Sequence, residues 1–173
     1  HNLMRSQLSD GASSYFRVDG LPLNERNSKW LNDDYVKFKR LSQSLLATTG
    51  SGLHGYISNH GFLDNATFRG MRHSLMQTFD QIRVLDLHGN IKKKERCPDG
   101  SKDEGVFDIQ QGVAISIFSR GPKRNGLESN VTRGDLWGSR WTKYSTLADG
   151  NLRAEAWTAL RPTSDAYRFT TTN

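Results

Sequence analysis

The sequence predicts an α/β fold with a largely parallel sheet. Two segments carry apolar residues at the spacing of amphipathic helices, and three shorter runs are as apolar as buried strands. These patterns alternate along the chain, which is typical of parallel strands joined by helices. Because 173 residues can bury one sizeable core, we expect a single domain with an appendage.

The first helix begins at Asn32 or Asp33, which are good N-cap residues, and it ends at Gly50. Core packing is the favoured interpretation of its apolar face, which consists of Tyr35, Phe38, Leu41 and Leu45. A short buried strand is expected next, over residues 54–59.

The second helix begins at Asn65 or Thr67, and its apolar face consists of Phe68, Met71, Leu75 and Phe79. A strand is expected over residues 82–87. A nearly continuous apolar run predicts a third strand over residues 113–118, covered on both faces. The long charged loop between these two strands is expected to be either functional or disordered, since packed domains rarely carry such loops otherwise.

The pattern changes after the third strand. Residues 120–130 are polar and contain Gly and Pro, and the aromatic residues beyond them lie among polar ones without a helical or strand period. We therefore expect residues 1–125 to form the domain. Residues 126–173 are expected to be an irregular, Trp-rich tail: a linker followed by the start of a further domain or by an arm that packs on the first.

Charge favours an acidic partner. The formal net charge is +6 and the isoelectric point is about 9.6, which suits nucleic acid, although many soluble proteins are mildly basic. The single cysteine, Cys97, excludes an internal disulfide and a cysteine-rich zinc site, and it favours a reducing compartment such as the cytoplasm. No apolar run is long enough to span a membrane.

Basic residues in and after the long loop are candidate contacts to DNA phosphates: Lys92, Lys93, Lys94, Arg120, Lys123 and Arg124. The alternative for the lysine run is a solvated loop tip that binds nothing. Phe107 stands where the loop rejoins the sheet, and an aromatic residue in that position can stack on a base. The alternative is that Phe107 simply packs in the core.

Patterns for catalysis or metal binding are missing from the sequence. The histidines at positions 54, 60, 73 and 88 do not have metal-ligand spacing, so no metal site is expected. The sequence contains neither a nucleophile elbow nor a phosphate-binding glycine loop. We therefore expect the chain to be incomplete as a free-standing enzyme.

Five segments occur in a fixed order along the chain: Asp33-Asp-Tyr-Val-Lys-Phe38, Tyr56-Ile-Ser-Asn-His-Gly-Phe-Leu63, Phe68-Arg-Gly-Met-Arg72, Leu85-Asp-Leu-His-Gly-Asn90 and Val106-Phe-Asp-Ile-Gln-Gln-Gly-Val-Ala114. Together they resemble the gamma-class DNA adenine-N6 methyltransferases. More narrowly, they resemble the methyltransferase region of Type ISP restriction–modification enzymes. The resemblance covers residues 20–120 and continues more weakly through the tail.

This resemblance implies the C-terminal half of a Rossmann-like methyltransferase sheet. The family binds S-adenosylmethionine over the carboxyl ends of the first strands and flips the target adenine out of the DNA duplex. Its cofactor glycine motif and its Asn-Pro-Pro-Tyr catalytic motif precede the segments found here, and neither is in this sequence. We therefore expect a fragment that is itself inactive, with an incomplete cofactor site.

Matched position by position, the resemblance assigns roles to three aromatic residues. Tyr35 and Phe38 match the helix after the catalytic motif, whose Phe lies beside the adenine of the cofactor. Phe107 matches the aromatic residue that packs against the flipped base, with an offset of about one residue, before a last, antiparallel strand. Residues 59–63 match the segment that ends the strand following that helix, and the tail matches the entry into a target-recognition domain.

The predicted function is thus that of a fragment of a bacterial restriction–modification enzyme whose parent methylates adenine N6. Its expected partners are double-stranded DNA and the remaining domains of the parent polypeptide. A bare sheet edge at residues 56–59 also predicts self-association, unless the lead-in covers that edge. The alternative is a non-enzymatic DNA-binding or scaffolding module with a degenerate methyltransferase-like core.

Overall fold

The computed structural model describes residues 3–122, 129–150 and 157–171, and it shows a mixed α/β fold around a five-stranded sheet. The helices are α1 (Asp34–Thr49), α2 (Arg69–Thr78) and α3 (Arg140–Ala148). A small hairpin of β1 (Arg17–Val18) and β2 (Leu21–Pro22) precedes them. The strands of the main sheet are β3 (Gly52–Asn59), β4 (Gln81–Asp86), β5 (Val113–Arg120), β6 (Asn130–Asp135) and β7 (Trp157–Leu160).

The strands of the main sheet lie in the order β3-β5-β4-β6-β7. The expectation of a largely parallel sheet is wrong, because only β4 and β6 pair in parallel and the other three pairings are antiparallel. No helix lies between β4 and β5, so β5 returns beside β4 in the opposite direction. Strands β3, β4 and β6 still run the same way, and their carboxyl ends meet at one edge of the sheet.

The three predicted strands are confirmed with small changes at their ends, but their environment differs from the prediction. Strand β3 is an edge strand, and no other strand of the described chain pairs with its outer side. Leu53 and Ile57 are 69% and 50% exposed, so β3 is not buried. On β5, Ile117 is 40% exposed, which shows that one face of that strand is only partly covered.

The main core lies between the sheet and helices α1 and α2. The predicted apolar face of the second helix is confirmed, because all four of its residues are buried in this core together with residues from the strands: Phe68, Met71, Leu75, Phe79, Ile82, Val84 and Phe118. The Asn65 side chain accepts a hydrogen bond from the Thr67 amide at the start of the turn that leads into α2. This cap agrees with the predicted helix start.

The first helix is present, but it packs with a different face from the one predicted. Phe38, Leu41 and Leu45 are exposed, whereas Lys39, Arg40 and Gln43 are buried. Gln43 donates to the Thr78 hydroxyl at 2.8 Å, and Arg40 donates to the Ser74 hydroxyl at 3.0 Å. Partners on α2 thus make burial of the polar face favourable.

The Trp-rich tail is not irregular in the described ranges, so that part of the prediction is wrong. Strand β6 adds to β4 and strand β7 adds to β6, and α3 follows β6. The buried Arg72 also holds the end of the chain, since it donates to the carbonyls of Ala166 and Tyr167. The predicted division at residue 125 stays a prediction, and it falls on residues that the structure does not describe.

None of the helices in the described ranges is both long and apolar enough to cross a lipid bilayer.

Candidate functional site at the carboxyl ends of the strands

The candidate site lies where β3, β4 and β6 end. His60 directly follows β3, Asp86 is the last residue of β4, and Asp135 is the last residue of β6. The parallel pairing places Asp86 opposite Asp135. The carboxyl ends of parallel strands are where α/β proteins usually bind ligands, so this cluster and the loop over residues 87–112 form the candidate site.

His60 is held between two polar side chains. Its Nδ1 lies 3.0 Å from Asp86 Oδ1, and its Nε2 lies 3.1 Å from the Asn90 amide nitrogen. Because the Asn90 nitrogen is a donor, Nε2 accepts this hydrogen bond and Nδ1 donates to Asp86. The Cβ of an alanine at Gly112 would lie 2.4 Å from the His60 ring, so the start of β5 packs directly on this histidine.

His88 forms the second half of the cluster. Its Nε2 lies 2.8 Å from Asp135 Oδ1, and the Trp137 ring stacks on it with 3.3 Å between centroids. The other nitrogen, Nδ1, is buried and has no hydrogen-bond partner among the described residues. It lies 3.8 Å from both Asp86 Oδ2 and Glu95 Oε1, which is beyond hydrogen-bonding distance.

Arg133 joins the two aspartates. Its Nη2 lies 2.8 Å from Asp86 Oδ2 and 2.7 Å from Asp135 Oδ1, and its Nη1 donates to the Phe169 carbonyl. Arg133 is 7% exposed, so these contacts form largely out of water. Such paired and hydrogen-bonded charges hold the ends of β4 and β6 together.

These contacts shift the pKa values of the cluster. Burial alone would raise the pKa of Asp86, but the His60 hydrogen bond and the charges of His88 and Arg133 outweigh burial and lower it. Burial is outweighed in the same way at Asp135, where His88 and Arg133 lower the pKa to about 2. For His88, burial would lower the pKa, but the side chains of Asp135 and Glu95 and the charge of Asp86 raise it.

The loop over residues 87–112 is ordered and anchored to α3. Lys143 and Asp103 form a fully buried ion pair at 2.7 Å, and Lys143 also donates to the carbonyls of Leu87 and Glu104. Gly89 has a φ of 80°, and a Cβ there would lie 2.4 Å from the Gly105 Cα. The disordered alternative for this loop is therefore wrong, and its function stays a prediction.

Phe107 projects from this ordered loop. Its ring is 45% exposed, whereas the neighbouring Val106 is buried. Arg140 on α3 fixes the backbone on both sides, since it donates to the carbonyls of Gly105 and Phe107 and pairs with Asp108 at 2.7 Å. Core packing does not explain the Phe107 ring, and a rigid backbone that presents an exposed aromatic ring suits a stacking contact.

The predicted phosphate contacts have different surroundings. Lys92, Lys93 and Lys94 are exposed at the loop tip, where Lys93 pairs with Asp64 at 3.3 Å. Arg120 is engaged within the chain by an ion pair with Asp10 and by hydrogen bonds to backbone carbonyls. Lys123 and Arg124 lie outside the described residues. The structure thus brings the three lysines together near the site and directs Arg120 inward.

The two predicted cofactor contacts do not share one surface. The Tyr35 ring packs on Phe68 with 6.3 Å between centroids and is partly buried. Phe38 is 55% exposed and lines a concavity of about 540 Å³ together with Leu3, Met4, Asn32, Asp34, Lys37 and Leu41. Tyr35 therefore packs toward the core, whereas the exposed Phe38 ring lies beside apolar side chains at the surface.

Sequence reasoning missed the histidine cluster. His60, Asp86, His88 and Asp135 have no motif spacing, because their proximity depends on the pairing of β4 with β6. One signal was available: an acidic residue ends each of the segments 81–86 and 130–135.

The fold of this chain is also present in solved structures. Over 87% of its length, the chain superposes on the ATP-dependent Type ISP restriction–modification enzyme LlaBIII bound to DNA, with a TM-score of 0.73 and 26% sequence identity. The chain shares its fold with part of that enzyme. No protein-family profile matches the sequence, and no curated protein gives a significant match.

Two further DNA complexes share the fold. The DrdV–DNA complex matches with a TM-score of 0.67 and 23% identity over 83% of this chain. A nuclease-deletion mutant of the Type ISP enzyme LlaGI, in complex with a DNA substrate mimic, matches with a TM-score of 0.67 and 21% identity over 83%. The chain spans only 10%, 14% and 12% of LlaBIII, DrdV and LlaGI, respectively.

Proposed function

We propose that this chain is a segment of a DNA adenine-N6 methyltransferase within a restriction–modification enzyme. The observation that carries the proposal is the fold shared with DNA-bound LlaBIII over 87% of the chain. The five sequence segments that resemble gamma-class methyltransferases support the narrower assignment to adenine N6. Double-stranded DNA is the proposed partner, and the net charge of +6 favours it.

In this proposal Phe107 packs against the flipped target adenine. A base leaves the stack at a cost of a few kcal/mol, and contact with an aromatic ring restores about 1–3 kcal/mol of stacking. The Arg140 contacts hold the Phe107 backbone before DNA arrives, so little ordering is required on binding. Phe107 is therefore a positioning platform for the base and takes no part in proton or methyl transfer.

S-adenosylmethionine is the proposed cofactor, and it supplies the methyl group. The exposed Phe38 ring in its apolar concavity fits a contact with the adenine of the cofactor. Asp34 lies on the same concavity and could accept hydrogen bonds from a ribose or an amine. The groups that act on the target amino group are proposed to lie on other parts of the enzyme.

The test uses the full-length product of the reading frame that encodes this chain. The product is expressed in a host that lacks adenine methylation, and plasmid DNA is sequenced by a method that detects N6-methyladenine directly. Because the recognised sequence is unknown, this readout is preferable to a defined substrate. We expect methylation at one recurring sequence, and loss of most of it in Phe107→Ala but not in Phe107→Trp.

Trp30→Ala is the matched control, since Trp30 is another partly exposed aromatic residue, 37% exposed, outside the candidate site. It should leave methylation unchanged. DNA binding without any methylation would overturn the proposal and favour the non-enzymatic module. Equal methylation by Phe107→Ala and the unsubstituted enzyme would remove the assigned role of Phe107.

A further inference from the structure

We propose that His60, His88 and Glu95 bind a divalent transition-metal ion of the zinc class, which ties the loop over residues 87–112 to the carboxyl ends of the strands. One ligand atom from each of these three residues lies within 4.8 Å of the other two. Two imidazoles and a carboxylate are a common zinc ligand set. Tetrahedral coordination requires ligand atoms roughly 3.3 Å apart, so the ligand atoms, now within 4.8 Å of one another, approach by at most about 1.5 Å when an ion binds.

Hydrogen bonds to carboxylates orient both histidines as metal ligands. His60 donates from Nδ1 to Asp86, and the Nε2 of His88 lies 2.8 Å from Asp135. In metal sites, a ligating histidine almost always uses its second nitrogen to bond a carboxylate or a carbonyl. The carboxylates fix the tautomers, which leaves Nε2 of His60 and Nδ1 of His88 as the coordinating atoms.

The His88 Nδ1 atom is an independent sign of a ligand. His88 is 5% exposed, and its Nδ1 has no hydrogen-bond partner among the described residues. Buried polar atoms without partners are rare in folded proteins, and an ion is one explanation for them. One oxygen of Glu95 faces this nitrogen. Its Oε2 accepts a hydrogen bond from the backbone N–H of Asn90, while its Oε1 lies 3.8 Å from His88 Nδ1.

The charge of the cluster matches a divalent cation. Asp86, Glu95 and Asp135 contribute three carboxylates and Arg133 contributes one guanidinium, so the acidic side chains outnumber the guanidinium by two. Asp86 is buried and Glu95 is partly buried, and charge held out of water is costly unless it is neutralised. A doubly charged ion between the histidines and Glu95 would neutralise it.

A second grouping, Asp86, His88 and Asp135, also has its ligand atoms within 4.8 Å, but it is a poorer site. Arg133 Nη2 already contacts both aspartates, at 2.8 and 2.7 Å, and its positive charge would repel a cation there. At the preferred site, an ion would compete with the uncharged side-chain amide of Asn90, whose nitrogen lies 3.1 Å from His60 Nε2. A bound ion replaces this single hydrogen bond.

The ligands come from separate parts of the chain. His60 follows β3, His88 follows β4, and Glu95 belongs to the lysine-bearing end of the loop. An ion bound by all three would cross-link the loop to two strands that do not pair with each other. It would thereby stabilise the loop that carries Phe107.

The first test is calorimetric titration of the metal-stripped chain with zinc chloride. We expect one equivalent to bind, with affinity reduced at least about tenfold in His88→Gln and in Glu95→Gln. His73→Gln and Cys97→Ser are the matched controls: His73 contacts Asp19 and Tyr167, away from the site, and Cys97 is the one thiol in the sequence. Circular dichroism of each metal-stripped variant verifies that it folds.

Binding that persists undiminished in both ligand variants would overturn the proposal, as would no binding or loss of binding in Cys97→Ser. The second test is limited trypsin digestion, because Lys92, Lys93, Lys94 and Arg96 flank Glu95 and are exposed. Zinc should slow cleavage at these positions in the unsubstituted chain and leave it unchanged in Glu95→Gln. Equal cleavage of the unsubstituted chain with and without zinc would refute the cross-link.

Discussion

Replacing Lys39 by methionine should stabilise the protein and change its response to pH. Lys39 is 1% exposed, and its ammonium lies 4.5 Å from the centroid of the Phe62 ring and 4.9 Å from that of Phe118. Within the described part of the chain, the one hydrogen bond of its side chain goes to the Ser116 hydroxyl at 3.5 Å, which is at the limit for such a bond. Burial lowers the Lys39 pKa from 10.5 to about 7.

The magnitude follows from this pKa. A shift from 10.5 to about 7 corresponds to a penalty of about 5 kcal/mol for folding with a charged amine. Attraction to the aromatic rings returns about 0.5–2 kcal/mol per good contact. We therefore expect Lys39→Met, which keeps the length of the side chain, to raise the free energy of unfolding by about 1–3 kcal/mol at neutral pH.

The pH dependence has a defined sign. Between about pH 7 and about pH 10.5 the folded chain has released the Lys39 proton and the unfolded chain has not, so unfolding takes up a proton. The free energy of unfolding should therefore rise with pH in this window, by up to about 1.4 kcal/mol per pH unit. Lys39→Met should lack this increase.

Urea denaturation followed by circular dichroism, from about pH 6 to about pH 10, measures both effects. The difference between the unsubstituted protein and Lys39→Met isolates Lys39 from the other groups that titrate in this range. Lys29→Met, at an exposed lysine, is the control and should leave the pH dependence unchanged. Parallel pH profiles for Lys39→Met and the unsubstituted protein, or a less stable Lys39→Met at neutral pH, would refute the reasoning.

Three further predictions concern the anchors of the chain and its loop. Arg72→Met should lower the free energy of unfolding by about 3–5 kcal/mol in urea denaturation, because it leaves four buried or partly buried carbonyls without the donors of that guanidinium. Lys143→Met should lower the free energy of unfolding by about 3–5 kcal/mol, because it leaves the Asp103 carboxylate buried without its ion-pair partner. Adding Asp103→Leu should restore part of this free energy, and a double variant as unstable as Lys143→Met would contradict the pairing. Replacing all three lysines at positions 92–94 by glutamine should weaken binding to duplex DNA, measured by fluorescence anisotropy. The slope of log affinity against log salt concentration should fall in magnitude by about 2–3, and an unchanged slope would show that these lysines do not contact DNA phosphates.

Local sequence patterns are sufficient to predict β4 and α2, because the apolar residues of these elements are the ones that face the core. The run over residues 82–87 forms β4 over residues 81–86, and the α2 face is buried as its period predicts. Periodicity was insufficient for α1, because it identifies an apolar face but not the face that meets the sheet. Gln43 and Arg40 are buried because hydroxyls on α2 receive their hydrogen bonds, and no pattern within α1 reports those partners.

The residues of the candidate site are brought together by strand pairing, which local sequence patterns do not reveal. The order of helices and strands was read as a parallel sheet, whereas β5 inserts between β3 and β4. Without the pairing of β4 and β6, Asp86 and Asp135 are two unrelated acidic residues. Phe107 could be named from its place where the loop rejoins the sheet and from the resemblance, but its 45% exposure is evident only in three dimensions.

The position of β5 also bears on how the chain folds during synthesis. Strands β3 and β4 do not touch each other, and both depend on β5, which is made after them. At ribosomal rates of about 5–20 residues per second, β3 remains without β5 for several seconds while residues 60–120 are translated. During that interval the exposed strand edges are open to association with other nascent chains. Slower translation through the loop would lengthen this exposure, so the yield of folded protein should depend on how quickly codons 87–112 are read.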